Sequence, residues 1–88
     1  MNKHKLLAKI QNNSLNVRYN DFVTLVEAYG FRRTRGNGSH EIYRRHGVAD
    51  IVNIQNDHGK AKPYQVKQFL SLIEIYNLNL EDDNDVQL

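Results

Sequence analysis

The chain contains no cysteine, which excludes disulfide staples and thiolate chemistry and leaves packing or a bound partner to stabilise the fold. It also lacks a long apolar run. Its first eleven residues set Lys3, Lys5 and Lys9 around a short apolar pair, too little for a signal peptide or a membrane span. Both absences point to a cytoplasmic protein with no export or membrane role. There are no internal repeats, and 88 residues provide one modest core and exclude a second domain.

What the sequence does have is unevenly placed charge. Glu81, Asp82, Asp83 and Asp85 give the last eight residues a charge of −4, so the formal +2 of the whole chain leaves +6 over residues 1–80. Arg32, Arg33, Arg35, Arg44, Arg45, Lys60 and Lys62 all fall between residues 32 and 62. Clustered cations of this kind are the footprint of a polyanion partner. A solvated surface on an ordinary small domain looks similar, so charge alone does not decide between them.

Apolar spacing outlines the fold. Leu6, Leu7 and Ile10 permit a short helix over residues 4–12, stopped by Asn12-Asn13-Ser14. A clearer helix has Asn20 as its expected N-cap, Asp21 in its first turn, and Phe22, Leu25, Val26 and Tyr29 on one face. Gly30 should end it, because glycine takes the left-handed conformation without steric cost.

Strand-like runs follow over residues 31–35 and 40–45. They flank Gly36-Asn37-Gly38-Ser39, and Asn-Gly is a favoured hairpin pair. A third strand is expected over residues 49–55, after a turn at His46-Gly47. Parity leaves the buried face of the sheet open, because Ile42 sides with His40 and Arg44 while Tyr43 sides with Glu41 and Arg45. A final helix should run from Pro63 to about Tyr76 with Val66, Phe69, Leu70 and Ile73 inward. The expected fold is α+β, in the order α-β-β-β-α. Two helices cover one face of a three-stranded antiparallel sheet, a topology resembling the double-stranded-RNA-binding domain. Residues 1–17 form an N-terminal extension, 18–80 the domain, and 81–88 an acidic tail expected to be disordered.

The run Gly38-Ser39-His40 opens the second strand, after Gly30-Phe31 and the basic stretch from Arg32 to Arg35. With Lys60-Ala61-Lys62-Pro63-Tyr64-Gln65-Val66 leading into the last helix, this resembles the HicA toxin family over residues 18–80. Glu41 departs from the pattern, since many members have a second histidine there. The resemblance implies a toxin that cleaves messenger RNA and a HicB-like antitoxin that holds it inactive.

Metal-free RNA cleavage needs a group to take the 2′-hydroxyl proton, a group to protonate the leaving 5′ oxygen, and positive charge at the phosphate. Imidazole suits the proton transfers near neutral pH, and His40 beside a glycine-rich hairpin is the expected catalytic residue. Arg33, Arg35, Arg44, Lys60, Lys62 and Ser39 are the expected RNA-binding residues. His58, preceding Lys60 and Lys62, is the better of the remaining histidines for a second acid or base. There is no close histidine pair at helical spacing, so neither a metal nor any other cofactor is expected. The alternative is a non-catalytic RNA-binding module that uses the same surface and binds RNA without cutting it. A pure protein-interaction subunit would leave the arginine cluster and the Gly-Ser-His run without a purpose.

Overall fold

The structure is a computed structural model that describes residues 2–37 and 40–80. Ser39 and the acidic tail therefore lie outside the described residues. The elements run α1 (Lys3–Asn12), α2 (Tyr19–Ala28), β1 (Arg32–Asn37), β2 (His40–Arg44), β3 (Val52–Asp57), β4 (Lys60–Ala61) and α3 (Pro63–Ile75). The α+β class and the antiparallel sheet agree with the sequence reading, but the sheet has four strands in the order β1-β2-β3-β4, not three. The extra strand, β4, is two residues long, too short for alternation to register in a sequence.

Local chemistry sets the helix ends. Asn2 caps α1, its side chain accepting from the amides of His4 (2.8 Å) and Lys5 (3.2 Å). The expected Asn20 cap of α2 is replaced by an earlier start: Arg18 holds the cap position without a side-chain bond, and Asp21 lies in the first turn. Gly30 follows α2 with φ 90°, the left-handed turn expected of it. Pro63 opens α3, and Asn77, at φ 52°, turns the chain beyond its end.

One core joins these parts. Leu6 and Ile10 of α1, Phe22, Leu25 and Val26 of α2, Val66 and Phe69 of α3, and Tyr43, Val52 and Ile54 of the sheet all belong to one buried cluster. At its centre the Phe69 ring meets the rings of Phe22, Tyr29 and Phe31 edge-on, at centroid distances of 5.9, 5.7 and 5.5 Å. The segment before α2 is tied to the edge of β4, where the Ala61 amide donates to the Val17 carbonyl (2.8 Å) and the Tyr19 amide to that of Gly59 (2.9 Å).

Register resolves the parity left open by the sequence. Tyr43 opposes Val52 and Glu41 opposes Ile54; Tyr43, Val52 and Ile54 are buried, so this parity faces the helices. His40, Ile42 and Arg44 therefore lie on the other face, along with Gln55 and Asn53 of β3. Thr34 is the extra residue of a bulge between Arg33 and Arg35, and its hydroxyl donates to the Ile42 carbonyl (3.2 Å).

Candidate active site

The bulge sorts the arginines. Arg32 opposes Arg44 and Arg35 opposes Ile42, on the open face, whereas Arg33 opposes Tyr43 and faces the helices. Arg35 is thus a diagonal neighbour of both His40 and Arg44, at a typical Cβ separation of about 7–8 Å. Arg44 lies four residues along β2 from His40, about 13 Å at strand rise. Of the three arginines expected at the site, Arg35 stands next to His40, Arg44 lies farther along the same face, and Arg33 is held elsewhere. Arg32 also has the open-face parity, but its guanidinium donates to the carbonyls of Glu27 (2.9 Å) and Phe31 (2.7 Å).

Arg33 is held by a carboxylate. Its Nη1 lies 3.7 Å from Glu41 Oε2, with the Glu41 side chain only 16% exposed. The Tyr19 hydroxyl donates to the other oxygen of Glu41. Gly36, opposite Glu41, leaves room for the guanidinium, because a Cβ there would come within 2.5 Å of Arg33 Nη1. Glu41, where the sequence departs from the family pattern, therefore organises the inner side of the hairpin that presents His40. Nothing in the spacing of Tyr19, Arg33 and Glu41 announced this contact.

Burial first, and then the bond to Glu41, pushes the Tyr19 phenol well above its ordinary 10.0. Burial followed by the nearby Glu41 charge also raises Tyr43. Raised tyrosine values stabilise the fold below pH 10, and that contribution is lost as pH rises further, because the unfolded chain releases protons that the folded one retains. Stability should therefore fall above about pH 10. Tyr19→Phe should cost about 2 kcal/mol near neutral pH, the worth of a hydrogen bond to a charged group, and should make the alkaline decline shallower. Urea unfolding of both proteins across this range is the measurement; parallel pH curves would remove Tyr19 as a source of the decline.

The far end of the sheet gathers a second set of groups. Asp57 opposes Lys60 and lies two residues beyond Gln55, the partner of His40, so it shares the His40 face. The turn between them places His58 at φ 54° and Gly59 at φ 87°. Positive φ at both positions is the hairpin pattern that usually selects Asn-Gly, and a non-glycine residue there costs about 1 kcal/mol. Asp57 Oδ1 lies 2.9 Å from His58 Nδ1, and Oδ2 lies 3.2 Å from Lys62 Nζ. The hydrogen bond from His58, followed by that from Lys62, holds the Asp57 carboxyl below the usual carboxylate range.

Lys60 reaches the outer edge, donating to Asn16 Oδ1 (2.7 Å). Arg18 pairs with Lys60 through an isolated bridge, bringing a cation that the sequence reading did not include to this edge. A cleft of about 270 Å³ lies there, lined by Lys9, Arg18 and Lys60 among others. Among the described residues, no three histidine, aspartate or glutamate side chains come together as a metal site would require, and no helix is long and apolar enough to cross a membrane.

One face of the sheet is packed by helices, and the other carries His40, Arg35 and Arg44. The family model for the HicA toxin of bacterial toxin-antitoxin systems matches residues 19–75. That is more than half of the sequence, and the chain belongs to the HicA toxin family. This is a family of toxins known for ribonuclease activity, and membership implies an antitoxin partner. No curated protein and no solved structure matches the chain significantly.

Proposed function

We propose that this protein is a metal-independent endoribonuclease that cleaves messenger RNA in the cytoplasm, with His40 transferring a proton at the scissile phosphate. The observation that carries this reading is the position of His40, exposed on the sheet face the helices leave open, with Arg35 beside it. Arg35 neutralises the reacting phosphate, and Arg44 holds a neighbouring one. Lys60 and Lys62 extend the cationic track toward β4, and Ser39, next to His40 in sequence, supplies a hydroxyl to a phosphate oxygen. Arg33 joins the RNA only by leaving Glu41. The helix-sheet order, like that of a double-stranded-RNA-binding domain, suits recognition of RNA by its backbone and shape.

A HicB-like antitoxin would silence the enzyme by covering the His40 face. An acidic partner surface matches the +6 of residues 1–80, provided that each buried arginine finds a carboxylate.

Induced expression in cells, with RNA integrity followed alongside growth, tests the activity. The expected result is arrest with newly cut messenger RNA, relieved by co-expression of the antitoxin. RNA that is bound by the purified protein but left intact would move the function to the non-catalytic RNA-binding module.

A further inference from the structure

A single histidine leaves the cleavage chemistry incomplete. Transfer of the 2′-hydroxyl proton to a base lets that oxygen attack phosphorus, forming a 2′,3′-cyclic phosphate as the bond to the 5′ oxygen breaks. The departing oxygen must then receive a proton from a second group. We propose that His58 is this second catalytic residue, the acid that protonates the 5′ oxygen, with Asp57 orienting its ring and Lys62 beside it at the phosphate. The proposal rests on the ribonuclease reading and completes it.

Three observations carry it. First, register places the pair within reach of His40: Asp57 lies one same-face position beyond Gln55, the partner of His40, a diagonal relation of about 7–8 Å between Cβ atoms. That spacing belongs to Asp57, whose carboxylate lies 2.9 Å from the His58 ring, so the second imidazole is held at the same end of the sheet as His40. His46, by contrast, lies beyond the far end of β2, whose last residue, Arg44, is already about 13 Å from His40 at strand rise.

Second, the ring is oriented without being covered. Its Nδ1 lies 2.9 Å from Asp57 Oδ1, yet the His58 side chain is 98% exposed. That contact leaves Nε2 for a ligand, and the carboxylate behind the ring fixes its orientation. Asp57 also holds Lys62, at 3.2 Å, so one carboxylate sets both a proton donor and a phosphate cation. Third, packing does not explain the residue. His58 occupies a left-handed position at φ 54°, where asparagine is the usual choice, and its exposed ring contributes nothing to the core.

The preference for asparagine also supplies the test. His58→Asn keeps the turn and removes the proton donor. The wild type, His58→Asn and His40→Ala are compared on an oligonucleotide cut at the mapped cleavage position. A second substrate carries sulfur in place of the 5′ leaving oxygen, since a thiolate departs without a proton. His58→Asn should lower kcat on the oxygen substrate by about 100-fold, with RNA affinity kept, and by less than about fivefold on the sulfur substrate. His40→Ala should lose comparably on both. A His58→Asn protein with wild-type turnover, or with equal losses on the two substrates, overturns the role of His58 while leaving the ribonuclease reading intact. A wild type that cleaves neither substrate overturns the ribonuclease reading itself.

Discussion

His40→Ala should lower RNA cleavage by about 10²–10⁴-fold, the usual worth of a positioned acid or base, while changing RNA affinity by no more than about twofold. The split follows from geometry. On the proposed reading phosphate binding is shared among Arg35, Arg44, Lys60 and Lys62, so loss of one imidazole removes little charge from the track. Proton transfer from the 2′-hydroxyl has no substitute at that position, because the nearest carboxylate along β2, Glu41, points to the other face and is held by Tyr19 and Arg33. His40 is exposed, so the substitution should move folding stability by less than about 0.5 kcal/mol. Single-turnover rates, equilibrium binding and thermal melts on the same preparations separate these quantities. A variant that binds and cuts like the wild type would remove His40 from the chemistry, and one that loses binding in proportion to cleavage would make it a contact residue.

The parts of the fold visible in the sequence were those with strong periodicity. The apolar spacing of α2 and α3, the turn glycines Gly30 and Gly47, and Pro63 at the start of α3 each correspond to a feature of the structure, whereas Gly36 and Asn37, expected in the hairpin turn, pair with Glu41 and His40 as the end of β1, and the rest of that turn lies outside the described residues. Strand β3, expected over residues 49–55, is found at Val52–Asp57: it starts three residues later and ends two residues later, because Ile51 extends the β-branched run backwards while the polar Asn56 and Asp57 carry no strand signal. Strand β4 was missed because pairing with β3 and with the segment before α2 defines it, and neither contact leaves a local pattern.

The site was legible in part for the same reason. His40 and its basic setting are local features, but which arginine stands next to it depends on the bulge at Thr34. One inserted residue changes the face of everything before it. Without that insertion, strict alternation would put Arg33 and Arg35 on one face; the structure puts them on opposite faces. The partnership of Asp57 with His58 and Lys62 likewise needed the two-residue turn to be placed before its direction was known. Long-range contacts, Tyr19 to Glu41 above all, lie beyond any reading of spacing.

Phe69→Ala is expected to be the most damaging substitution for the fold, and it provides the control that the activity measurements need. The ring is fully buried and touches three other aromatic rings drawn from α2 and the chain leading into β1, so truncation removes contacts that join helices to sheet. A loss of about 3–5 kcal/mol is expected. A domain of this length has roughly 4–13 kcal/mol in total, and the loss should lower Tm by at least about 12 °C. Ile75→Ala, on the same helix but 70% exposed, should change stability by less than about 0.5 kcal/mol. Urea unfolding of the three proteins checks the contrast; a Phe69→Ala protein within about 1 kcal/mol of the wild type would show that the aromatic cluster is not the core's centre. The two kinds of inactivity then become separable. Cleavage lost through Phe69→Ala should recover on cooling or on adding a ligand that binds only the folded state, which restores the folded population by mass action, whereas cleavage lost through His40→Ala should not recover under either condition, because the missing group is chemical and not conformational.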